Sequence, residues 1–200
     1  MSANITKLLI AFCLLSATGA SGAEGPCVLP GRGHFQIHVG TAGVFGAFAH
    51  NHLVEAQKVT GCVTLDSKEI TNSSIKLEFA TDAIRVIDPK EDAKDRAQVQ
   101  KTMETDVLRI SQFPKVTFES TSIERQTNEK LLVHGNLTIR GTTRPIVVPV
   151  TFASQSDGTY RAFGENKLKQ SSFGIEPIRI AGGTVKVKDE LQVEFELFFR

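Results

Sequence analysis

The sequence predicts an all-β protein, an antiparallel sandwich or barrel carrying one surface helix, and three observations lead there. Apolar and polar residues alternate with period two through most of residues 34–199, the pattern of strands with one face buried and one wet. The runs are separated by short turns rich in Gly, Asn, Asp and Pro, such as "QTNEK", "RGTTRP" and "QSDGTY". One segment alone, within residues 88–110, changes to helical spacing. Many strands joined by short turns close into barrels or sandwiches.

The first stretch, "MSANITKLLIAFCLLSATGASGA", places Lys7 before an apolar core from Leu8 to Leu15, followed by small residues. It reads as a cleavable signal peptide over residues 1–23, too short in its apolar core to span a bilayer. The expected compartment is periplasmic or secreted. Residues 24–31 are then expected as a linker, and residues 32–200 as a single barrel domain with no membrane span. Two hundred residues suit one domain.

The strands follow in order. "HFQIHV" sets Phe35, Ile37 and Val39 on one face, with His34, Gln36 and His38 on the other. "KVTGCVTLD" and "SSIKLEFA" repeat the pattern with Val59, Val63 and Leu65, then Ile75, Leu77 and Phe79. "KVTFES", "LLVHGNLTIRG", "RPIVVPVTF", "TYRAFGENKL" and "GTVKVKD" continue it. "LQVEFELFFR" is the cleanest, alternating Val193, Phe195, Leu197 and Phe199 with Gln192, Glu194 and Glu196. In the helical segment, Asp88 is expected as N-cap, Pro89 as the first helical residue and Glu91 as its capping-box partner. Ala93, Ala97, Met103 and Val107 would share the docked side.

Composition narrows the function. Removing residues 1–23 takes away Lys7 and no acid, so 23 basic and 22 acidic residues become 22 of each. A neutral chain without a basic block argues against nucleic acid as a partner. Cys27 and Cys62, the two cysteines left after export, read as a disulfide in an oxidising compartment. There are 13 Phe, one Tyr and no Trp, aromatic surface with almost no polar group to satisfy.

Three stretches then combine: "FPKVTFES" (113–120), "VHGNLTIRGTTRPIVVPV" (133–150) and "KQSSFGI" (169–175). In order and spacing they resemble the YceI-like family of exported lipid-binding proteins, and the resemblance runs from about Arg32 to Arg200. It implies an eight-stranded, lipocalin-like antiparallel barrel holding a long isoprenoid, a polyisoprenoid or an isoprenoid quinone, for transport or storage. It implies no catalytic apparatus and no cofactor, and leaves a homodimer open. "GTAGVFGAFAHNHL" departs from the family's commoner Ser-x-Val-x-Phe-x-Val-x-His strand, which puts the ligand's headgroup in question.

The candidate ligand-binding residues are the bulkiest apolar side chains on strand segments: Phe45, Phe48, Phe79, Phe118, Phe152, Phe163 and Phe173. His50 and His52, together in "AHNHL", form either a polar lip touching the ligand's head, a structural pair bonded to backbone, or ligands of a metal. No Cys-x-x-Cys or His-Glu-x-x-His accompanies them, and no Gly-x-Ser-x-Gly turn supplies a nucleophile. Arg144, extended before Pro145, either meets a pyrophosphate or quinone oxygen at the mouth or bonds backbone carbonyls nearby. A His-dependent metal or redox-active periplasmic protein is the alternative reading, and an interaction or stress protein using the barrel as a scaffold is a third. Large side chains meeting across the whole interior would defeat the binding reading and leave the fold intact.

Overall fold

The computed structural model describes residues 25–42, 51–180 and 185–200. Phe45, Phe48, His50 and the signal segment lie outside the described residues. Strands run in the order β1 (Val28–Ala42), β2 (His52–Ala56), β3 (Val59–Thr64), β4 (Ser74–Ala80), β5 (Ile84–Val86), β6 (Lys115–Arg125), β7 (Lys130–Ile139), β8 (Thr142–Ser154), β9 (Tyr160–Lys169), β10 (Arg179–Ile180) and β11 (Val185–Phe199).

They form one antiparallel sheet, in the order β3-β4-β6-β7-β8-β9-β11-β1-β2-β5, with β10 paired to the start of β11. The two ends of that path belong to the same hairpin. β2 runs into β3 and β4 into β5, each broken by a short kink, and bonds from Gln57 N to Ala83 O (3.0 Å) and Ala80 N to Lys58 O (3.1 Å) carry the ladder across. At its foot β1 also meets β3 through an antiparallel bridge between Cys27 and Cys62, which are joined by a disulfide. The sheet therefore curls into an antiparallel barrel. The strand count exceeds the eight expected, because two strands are kinked into β2–β3 and β4–β5 and β10 adds a short partner to β11.

Three boundaries differ from the sequence reading. "GTVKVKD" and "LQVEFELFFR" are one strand, because every odd position from Val187 to Phe199 keeps the same parity across their junction. Residues 25–31 are no linker. Gly25 packs on Val63, Cys27 exchanges backbone bonds with Arg200, and Val28 pairs with Phe199.

The helix α1 spans only Ala93–Thr102 and continues as a wider turn over Met103–Val107. Its N-cap is Asp92, whose side chain accepts from Asp95 N at 2.9 Å; Asp88 instead closes a tight turn by accepting from Lys90 N. Ala93 and Ala97 are exposed, and the docked side begins at Val99, with Met103 and Val107.

Inward residues follow the predicted alternation. Val193, Phe195, Leu197 and Phe199 on β11, and Leu77 and Phe79 on β4, are buried, with Phe199 1% exposed at the floor. Two inward glycines make room for aromatic rings: Gly135 on β7 sits beneath Phe118, and Gly164 on β9 faces Phe195. The β8–β9 ladder covers only Thr151–Ser154 against Tyr160–Phe163. Above it, Pro145 and Pro149 offer no N–H, and the Asn166 amide donates across the seam to the Val147 carbonyl at 3.1 Å.

Candidate functional site

Inside the barrel lies an apolar cavity of about 590 Å³, within the usual range of ligand sites of roughly 300–1,000 Å³. Phe35 narrows its middle, 4.6 Å from Phe79 and 6.0 Å from Phe195 between ring centroids. These rings cluster on one side and do not fill the interior. The floor is sealed by Phe199, Leu131 and Phe152, at the end held by the disulfide.

Apart from Ser73, just before β4, the polar wall residues collect at the opposite end. The cross-strand pairs Val39↔His52 and Leu191↔Leu168 mark that end, and α1 lies over it. Gln98 and Thr102 come from α1, Asn166 and Lys169 from the end of β9, Gln170 from the turn that follows it, and His52 from the start of β2. An apolar interior with a few polar groups at one end has the dimensions and polarity to accommodate an apolar tail with a polar group at that end.

The expected residues divide. Phe79, Phe118, Phe152 and Phe173 all line the cavity. Phe163 does not: inward positions on β9 are Ala162, Gly164 and Asn166, and Phe163 lies outside with the Arg161 guanidinium 4.0 Å over its ring. Arg144 is also outside and exposed, and its guanidinium donates to the Ser172 carbonyl (2.9 Å) and to its neighbour Thr143 (3.2 Å). It fastens the segment that carries Phe173.

His52 borders both the cavity and a polar basin outside it that is lined by Lys90, Lys167 and Lys188. Its Nδ1 lies 3.0 Å from Glu91 Oε1 and 4.0 Å from Asp88 Oδ2. Asp88 and Glu91 escaped the sequence reading because "DPKE" fits a helix start equally well. Nothing local to it signals a histidine more than thirty residues earlier. His34 and His38 face outward toward Glu194 and Glu196, as the strand alternation places them.

The model of the YceI-like domain matches residues 33–199. The chain belongs to the YceI-like family. Among its YceI-like relatives, a "UPF0312 protein" of Azotobacter vinelandii is 25% identical over 182 residues, covering 86% of this chain and 87% of the relative. "Protein YceI" of Salmonella arizonae is 26% identical over 184 residues, 88% of each chain. Two solved structures share the YceI-like fold. BcnA of Burkholderia cenocepacia superposes with a TM-score of 0.66 at 21% identity, over 86% of this chain and 98% of its own. A polyisoprenoid-binding domain from Saccharophagus degradans, implicated in plant cell wall breakdown, gives 0.65 at 9% identity, over 88% and 98%. No helix among the described residues is long and apolar enough to cross a membrane.

Proposed function

We propose that this protein is exported and binds a long isoprenoid lipid, a polyisoprenoid or isoprenoid quinone, for transport or storage. The observation that carries the reading is the apolar cavity of about 590 Å³, whose polar wall residues, Ser73 apart, lie toward the end away from the floor. The polyisoprenoid-binding domain of similar fold supports it. The wall offers a tail many apolar contacts, and among the described residues that line it no side chain is arranged as a nucleophile with an adjacent base.

Burying a CH₂ is worth about 0.8 kcal/mol, so each five-carbon isoprene unit contributes roughly 3 kcal/mol before ordering costs. Affinity then rises steeply with tail length until the cavity is full, and depends little on salt. The test is a binding series of isoprenoids of increasing length against wild type and Ala162→Phe, which fills the inward face of β9. The expected result is steep length dependence in wild type and weak binding in a variant that still melts cooperatively. Equal binding of short and long tails, or unchanged binding in Ala162→Phe, would refute the tail-dominated reading.

A further inference from the structure

We propose that His52, Asp88 and Glu91 form a binding site for a divalent cation of borderline softness, Zn²⁺ foremost, beside the barrel mouth. Their ligand atoms all lie within 4.8 Å of one another. The side chains of Glu91 and Asp88 are 6% and 7% exposed, and that of His52 18%. Two buried carboxylates carry a charge that needs a counterion or a metal. Among the described residues, no lysine or arginine is ion-paired to either of them.

The decisive observation is a pair of buried atoms with no hydrogen bond: His52 Nδ1 and Glu91 Oε2. Glu91, more than nine-tenths buried, thus aims a carboxylate at an imidazole nitrogen without forming a well-directed bond to it. A separation of 3.0 Å between His52 Nδ1 and Glu91 Oε1 is what two ligands about 2.1 Å from one ion subtend at about 90°. Asp88 Oδ2, 4.0 Å from Nδ1, is within reach of the same ion on its far side.

The donors are held in place. Asp88 Oδ1 is occupied by the Lys90 N–H (3.1 Å), which leaves Oδ2 free to face His52. The Arg96 guanidinium clamps the turn by donating to the carbonyls of Asp88 (3.0 Å) and Glu91 (3.5 Å). Such outer bonds orient metal ligands. One imidazole with two carboxylates suits Zn²⁺ and its transition-metal neighbours better than Ca²⁺ or Mg²⁺, and three protein ligands leave a position for water. The site stands apart from the lipid reading, since it needs nothing in the cavity.

The test uses tag-free protein stripped with a chelator and titrated calorimetrically with Zn²⁺ at neutral pH. One ion per chain is expected. Glu91→Gln should weaken binding at least tenfold and His52→Ala at least a hundredfold, while His38→Ala and His134→Ala leave it unchanged. Diffraction at the zinc absorption edge from wild-type crystals soaked in Zn²⁺ locates the ion without relying on any variant's folding. Absence of stoichiometric zinc, which would leave a histidine–carboxylate ion pair only, overturns the proposal. So does zinc located elsewhere, or binding that survives both His52→Ala and Glu91→Gln.

Discussion

Phe118 on β6 lays its ring over Gly135 of β7, in the space that any other residue's Cβ would claim. A Cβ at Gly135 would run into that ring and come within 2.7 Å of the Glu119 carbonyl oxygen. The glycine is thus what lets an aromatic side chain lie flat in the wall.

Gly135→Ala should therefore destabilise the protein by about 1–3 kcal/mol, the usual cost of overpacking. Urea unfolding measures it. An alanine variant as stable as wild type would mean that the wall yields easily at this point.

Gln100 of α1 acts as a substitute strand at the free edge of β5. Its Oε1 accepts from the Val86 N–H at 2.8 Å and its Nε2 donates to the Ile84 carbonyl at 2.9 Å. Gln100→Ala leaves the Val86 N–H without a partner and the Ile84 carbonyl with only the Arg85 guanidinium (3.0 Å), and should cost about 1–3 kcal/mol. The same substitution at Gln98, which bonds only weakly to Thr102 (3.5 Å), should stay within about 0.5 kcal/mol. Equal losses in the two variants by chemical denaturation would contradict this role.

Asp157 ties the β8–β9 turn to β1. The Thr159 hydroxyl (2.6 Å), the Thr159 N–H (3.0 Å) and the Arg32 guanidinium (2.8 Å) all donate to its carboxylate and hold its pKa well below the usual range. A depressed folded-state pKa contributes stability above the ordinary carboxylate pKa and loses it as pH falls toward the folded value. Asp157→Asn should therefore lower the urea midpoint at neutral pH, and its gap from wild type should narrow between about pH 5 and about pH 2. A gap constant over that range would refute the assignment.

The Cys27–Cys62 disulfide closes a loop with a sequence separation of 35, worth about 3–4 kcal/mol in the chain-entropy model. Replacing both cysteines by serine should lower stability by about that amount. Exported protein, denatured without reductant, should leave both thiols unreactive toward maleimide. Quantitative labelling would exclude the bond.

The barrel could be read from the sequence because its strands keep strict parity. Phe35, Ile37 and Val39 face in, as do Phe195 and Leu197, wherever period two runs unbroken. The candidate wall was legible in part. Phe79 and Phe118 sit on strands where the bulky residue is also the inward one, whereas on β9 the inward set is Ala162 and Gly164, paired opposite Leu197 and Phe195. Size alone pointed to Phe163, and pairing register decided otherwise. The turn at Asp88 was misread for a different reason. Asp-Pro-Lys-Glu satisfies a capping box locally, but burial beside His52 sets the side chains, and that contact spans too much sequence for a local pattern to show.

The pairing of β1 with β11 also orders events in time. Cys27 exchanges backbone bonds with Arg200 at 2.8 and 2.9 Å, and β11 inserts between β9 and β1. The hairpins from β1 to β5 join neighbours in sequence and form quickly, but the barrel cannot close until the last strand arrives, a contact spanning most of the chain. The disulfide needs only the first part of the chain. It can pin the foot of β1 beside β3 early, so that a preset slot awaits β11 and the slowest search in folding is reduced to docking one strand.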